Sequence, residues 1–141
     1  MHFKILIIKI IFLFLSLNLF AGNFKNIKIV TKYDSINFEA EVSDSKKKRA
    51  EGLMYRKSLK KNKGMLFVYN KEEDVHIWMK NTYINLDIIF ISKNKIIIDF
   101  KKNAKKLSTT IISSRAKYVL EINAGLINEY KINIGDKLYF E

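Results

Sequence analysis

The chain has 141 residues, 26 Lys or Arg against 14 Asp or Glu, a formal net charge of +12, and neither cysteine nor proline. Disulfides and thiolate metal centres are thereby excluded, so the fold must stand on packing alone. Of the basic residues, 23 are lysine and three are arginine, namely Arg49, Arg56 and Arg115. Where lysine is the default cation, each arginine marks a place that needs the planar five-donor fork. The lysine runs at 46–48, 60–63, 101–102 and 105–106 read as solvated surface and do not call for nucleic acid.

Residues 1–21 have the order of a secretory signal. Lys4 and Lys9 come first, an apolar block spans 10–20, and Ala21 and Gly22 supply small residues at a cleavage point. Leu19 fits the small-residue rule poorly, and the alternative is an uncleaved anchor. The apolar block is shorter than the roughly 20 residues a spanning helix wants. Export to the periplasm or beyond, with cleavage after Ala21, is therefore expected, and membrane contact only through that segment if it is retained. Loss of Lys4 and Lys9 would lower the charge from +12 to +10. The remainder, 22–141, contains no repeat, linker or low-complexity stretch and reads as one domain, expected to be a monomer.

In chain order, 27–32 and 36–42 read as strands joined by a turn at 33–35. In the second strand Ile36, Phe38, Ala40 and Val42 alternate with Asn37, Glu39 and Glu41. The period then changes. Ser45 is a candidate N-cap, and Arg49, Leu53 and Arg56 share one face of a short helix within 43–59. Gly52 weakens that helix by about 1 kcal/mol relative to Ala and marks a close approach or a left-handed turn. Four strands follow, at 64–69, 75–80, 86–91 and 96–100, the last two joined by a hairpin at 93–95. A strand at 117–122, a short helix at 124–132 that Asn123 would cap, and a glycine turn into a last strand over 134–140 complete the pattern. The fold class expected is a β-rich (α+β) single-domain barrel or sandwich-like sheet with two short helices.

The candidate site begins at His76-Ile-Trp-Met-Lys-Asn-Thr. The next strand, LDIIFI, is apolar on both faces and so buried on both, yet it carries Asp87. A buried carboxylate needs a charge partner or several donors. The available partners are Lys80, Asn81, Thr82, backbone N–H groups of the 81–85 loop and, at longer range, Arg56, which would make a bidentate pair. Two readings stay open: Asp87 as a polar clamp, or Arg56, Trp78, Lys80, Asn81, Thr82 and Asp87 as the rim of a pocket for a polar or anionic ligand. Glu121, alone among apolar neighbours in YVLEI, raises the same question. Were it to meet Asp87, the two would form an acid–base pair able to hydrolyse an envelope carbohydrate or another small polar substrate.

Other chemistry is excluded by residue type. His76 is the one histidine after the leader, so no multi-histidine metal centre can form. Met54, Met65 and Met79 read as core, and no metal or cofactor is called for. No nucleophile elbow, phosphate loop or dinucleotide fingerprint occurs.

The segments RAEGLMYR (49–56), GMLFVY (64–69), WMKNTYINLDIIFI (78–91), YVLEINAG (118–125) and IGDKL (134–138), in this order, resemble the domain-of-unknown-function 192 family, also known as uncharacterised protein family 0127. The resemblance covers about 37–140 and implies a compact β-rich domain. It implies no established activity. It matches at Arg49, Gly52, Leu53, Met54, Arg56, Gly64, Met65, the WMKNT run, Leu86, Asp87, Tyr118, Glu121, Gly125, Gly135 and Asp136. Two departures stand out. Lys48 occupies a commonly acidic position, so a capping box with Ser45 is lost, and prolines usual within 104–114 are absent. The leading reading is a binding or accessory domain rather than an enzyme. A hydrolase acting through Asp87 and Glu121, or a purely structural or protein-interaction role, are the alternatives.

Overall fold

The computed structural model describes residues 22–141, and the leader expectation for 1–21 lies outside the described residues. Seven strands are ordered as β1 (Phe24–Val30), β2 (Ser35–Ser43), β3 (Lys63–Ile77), β4 (Leu86–Ile91), β5 (Ile97–Ala104), β6 (Ile112–Asn123) and β7 (Lys137–Tyr139). Two short helices, α1 (Lys46–Glu51) and α2 (Leu126–Glu129), lie after β2 and β6. The strands form one sheet in the order β5-β4-β6-β3-β2-β1-β7, all antiparallel except the β2–β3 pair. The sheet curls into a half-barrel. Its two edges meet at one end, where Leu138 donates to the Lys95 carbonyl (2.8 Å) and Ile97 donates to that of Asp136 (2.9 Å). The expected β-rich domain with two short helices is what forms.

The curl separates two apolar layers. Inside it, Ile27, Ile29, Phe38, Ala40, Leu66, Ile89, Ile91, Leu120, Ile122 and Leu138 pack together, with Leu126, Ile127 and Ile132 plugging one end. On the outer face, Met65, Phe67, Ile88, Phe90 and Val119 are covered by Leu53, from the loop after α1, and by Met79, from the loop after β3. Strand β4 contributes to both layers, and all six of its residues are buried.

Several elements differ from the sequence reading. The strands expected at 64–69 and 75–80 are one strand, β3, bent by an irregularity between Val68 and Glu73. It stops at Ile77, so Trp78 and Lys80 lie in the following loop rather than on a strand face. Strand β6 starts at Ile112, because its early residues pair with the far half of β3, Ile112 opposite Ile77.

Helix α1 is capped as expected: the Ser45 hydroxyl accepts from the Lys48 N–H at 3.2 Å. It ends at Gly52, whose φ of 51° is left-handed and where a Cβ would stand 3.2 Å from the Phe67 ring. Arg56 therefore lies beyond the helix and shares no helical face with Arg49. Helix α2 is capped by Gly125 instead of Asn123. The Asn123 amide donates to the Leu59 carbonyl at 2.6 Å.

Candidate functional site

Asp87 lies on the inward face of β4 and is 1% exposed. No lysine, arginine or 81–85 amide meets it. Oδ1 accepts from the N–H of Asn103 (2.8 Å), and Oδ2 accepts from those of Gly125 (3.0 Å) and Ile127 (2.9 Å). Three backbone donors satisfy a carboxylate as well as a counter-ion would. They tie the end of β5 and the start of α2 to the central strand. The expectation of Arg56 or Lys80 as partner is thus corrected. The physical reason is that α2 begins just after β6, opposite Asp87, and presents N–H groups that no intrahelical bond uses.

Glu121 lies on the other face. It pairs with Ile88 of β4 and Met65 of β3, whereas Asp87 pairs with Ile122. Directly opposed residues share a face and neighbours alternate, so the two carboxyls point to opposite sides of the sheet. The acid–base pair between them, and the hydrolase built on it, is excluded.

The outer face at Glu121 is the floor of a cleft of about 410 Å³. One wall is α1 and its Gly52–Leu53 exit, with Arg49. The other is the loop after β3, with Trp78 and Thr82, and the mouth is lined by Tyr69, Glu73 and His76 of β3. Two reciprocal bonds tie the loops behind these walls. The Tyr55 N–H donates to the Asn81 carbonyl (2.8 Å), and the Asn81 amide donates to the Tyr55 hydroxyl (3.0 Å). Both residues have left-handed φ, 65° and 54°, a conformation that Asn adopts readily and that is uncommon for a bulky residue such as Tyr.

Glu121 is 4% exposed, and its carboxyl takes no hydrogen bond from any described residue; unlike the Ser43 hydroxyl it is not wholly sealed off, and its remaining exposure is toward the cleft. Burial pushes its pKa from the ordinary 4.5 up to about 8. Beside it, burial pushes the Tyr69 phenol up to about 12, against the opposing pull of Arg49. The Arg49 guanidinium lies over the Tyr69 ring, 4.7 Å from its centre, and donates to the Val68 carbonyl at 2.9 Å.

Of the residues expected to bind ligand, the cleft brings together Trp78, Thr82 and Glu121. Thr82 is buried, its hydroxyl donating to the Lys80 carbonyl at 3.2 Å. Lys80 lies over the Trp78 indole, 5.1 Å from its centre, and does not line the cleft. Asn81 serves the loop tie. Arg56 pairs with Glu41 at 2.8 Å, beside a second, smaller cleft of about 280 Å³ on the other side of Gly52. That cleft also borders Ser43, whose buried hydroxyl has no partner among the described residues. Sequence reasoning missed Tyr69 and Glu73. Arg49, marked in the sequence as a retained arginine and a family-matched position, lines the cleft. Among the described residues no cluster of His, Asp or Glu could hold a metal ion.

Comparison with known proteins agrees with this architecture. The chain is 29% identical over 111 residues to a UPF0127 protein of Pyrococcus furiosus, covering 77% of this chain and 92% of that one. A UPF0127 protein of Pyrococcus horikoshii is 29% identical over 114 residues, with 78% and 96% covered. A crystal structure from Sinorhizobium meliloti, of a protein described as a candidate transcription regulator, superposes with a TM-score of 0.83 at 33% identity, covering 84% of this chain and 95% of that one. A protein of unknown function from Novosphingobium aromaticivorans superposes with a TM-score of 0.83 at 29% identity, with 86% and 89% covered. The model of DUF192, described as "Uncharacterized ACR", matches residues 28–140. The chain belongs to the DUF192 family.

Proposed function

We propose that this domain is a binding module that holds a small polar ligand in the cleft between α1 and the Trp78–Thr82 loop. The observation that carries the reading is Glu121: a buried carboxyl that opens only toward the cleft and takes no hydrogen bond from the described residues. Buried polar groups are nearly always hydrogen-bonded, so a carboxyl reachable only from the cleft calls for a partner there. A ligand seated above β6 supplies one. The cleft volume falls in the usual range for small-molecule sites, and its walls combine an aromatic rim with a few convergent polar groups.

Small molecules retained from a cell extract by the parent protein test the reading. Trp78→Ala should lose them, and Arg56→Ala and Lys80→Ala should keep them. Retention by Trp78→Ala, or loss through Arg56→Ala, would move the site elsewhere. We also propose export, on the leader-like order of residues 1–21. An N-terminal mass starting at Gly22 in an envelope fraction is the expected result, and an intact Met1 in the cytosol would overturn it.

A further inference from the structure

We propose that the ligand is a monocarboxylate with a flat, ring-containing body, its carboxylate hydrogen-bonded to the Glu121 carboxyl on the cleft floor and its ring lying on the Trp78 indole. This rests on the cleft reading above and names the chemistry that fills it.

The floor decides the head group. Glu121 is 4% exposed and set opposite the apolar Met65 and Ile88, and burial of that kind favours the un-ionised form, which presents one O–H donor beside one acceptor. Such a donor selects an oxygen acceptor, and a carboxylate accepts most strongly because the bond is then charge-assisted. Two ionised carboxylates would instead repel, so the complex needs the Glu121 proton.

Charge along the walls is balanced, Lys46 and Arg49 against Glu51 and Glu73, so it does not repel an anion. From α1 the cleft is faced by Lys46, Arg49 and Glu51, and from β3 by Tyr69, Glu73 and His76. The sheet neighbours of Glu121, Met65 and Ile88, are uncharged. One Arg49 nitrogen is committed to the Val68 carbonyl, which leaves the rest of the five-donor fork. Lys46 is exposed on the same wall, and residues 22–141 carry a formal +10, a field that draws anions. An ammonium ligand would need Glu121 ionised and would release its proton on binding. The rim decides the body: Trp78 is 42% exposed beside the cleft, and the indole face that Lys80 does not cover is flat and apolar.

Benzoate, benzamide and benzylamine share one ring and differ in head group. Trp78 is the only tryptophan, so a single indole N–H signal reports on the cleft. Benzoate should shift that signal at pH 6.5, and its affinity should fall roughly tenfold per pH unit above 8. Benzylamine should not compete. Glu121→Gln keeps a donor and an acceptor, so it should still bind benzoate but lose the pH dependence. Glu121→Leu should bind none, and His76→Gln should leave the profile unchanged. A preference for benzylamine, or benzoate binding that is flat from pH 6.5 to 9.5 in the parent protein, would overturn the proposal. If none of the three probes moves the indole but polar compounds from extract do, the carboxylate is wrong and the cleft reading stands. If nothing moves it, both fall.

Discussion

Two carboxyls one residue apart in register, Asp87 and Glu121, have opposite fates because the sheet turns them to opposite faces. Asp87 meets three N–H groups. In Asp87→Asn the amide nitrogen cannot accept and must confront at least one of those donors. Unfolding in urea should show a loss of about 2–4 kcal/mol. Glu121 meets none, and its raised pKa fixes the sign of a pH effect. The folded state holds the Glu121 proton up to about pH 8, whereas the unfolded chain releases it near 4.5. Its contribution is therefore fully present below pH 4.5 and is lost as pH rises toward 8, by about 1.4 kcal/mol per unit. Urea midpoints of the parent measured from pH 5 to 8 should fall relative to Glu121→Gln, whose amide does not titrate. Parallel curves would mean that the carboxyl is solvated.

At the scale of elements, glycine explains how the cleft floor is built. Strand β3 passes β6 so closely at Gly64 that a Cβ there would stand 2.7 Å from the Glu121 carbonyl oxygen and 3.2 Å from Ile122. Gly64→Ala should part the strands at a cost of about 1–3 kcal/mol, read by thermal or chemical denaturation, and should broaden the Trp78 signal by disturbing the floor beneath it. Both helices are too short to carry stability by propensity. Helix α1 buries no residue of its own and sets up the exit loop whose Leu53 covers the outer layer, whereas α2 buries Leu126 and Ile127 and leads in the amides that Asp87 accepts. Local pattern reading found Ser45 and Gly52 because caps and left-handed turns are set by neighbours in sequence. It split β3 because the polar run through Lys71–Asp74 reads as a loop; in the fold, residues 69–72 bulge out of the ladder and pairing with β6 resumes only at Glu73.

For the whole molecule, closure of the curl is the vulnerable step. The three-residue β7 joins β1 on one side and the start of β5 on the other, with Leu138 wholly buried between them. Leu138→Ala should destabilise by about 2–5 kcal/mol. Amide exchange at Ile97, whose N–H is held by the Asp136 carbonyl, should become faster than elsewhere in the sheet. Opening of the far edge alone would show exchange rising first in β5 instead.

Read by itself, the sequence determined the β-rich class, the two-sided burial of β4, the cap of α1 and the family. Each rests on residue type and spacing over a few positions. It also marked Asp87, Glu121, Trp78 and Arg49 as out of keeping with their surroundings. Which of them meet was decided only by the tertiary structure. Backbone N–H groups appear in no list of side-chain partners, so the true donors to Asp87 were invisible. A register shift of a single residue would have changed the face to which Glu121 points. Pairing of β6 with β3 and β4 sets that register, and with it the cleft.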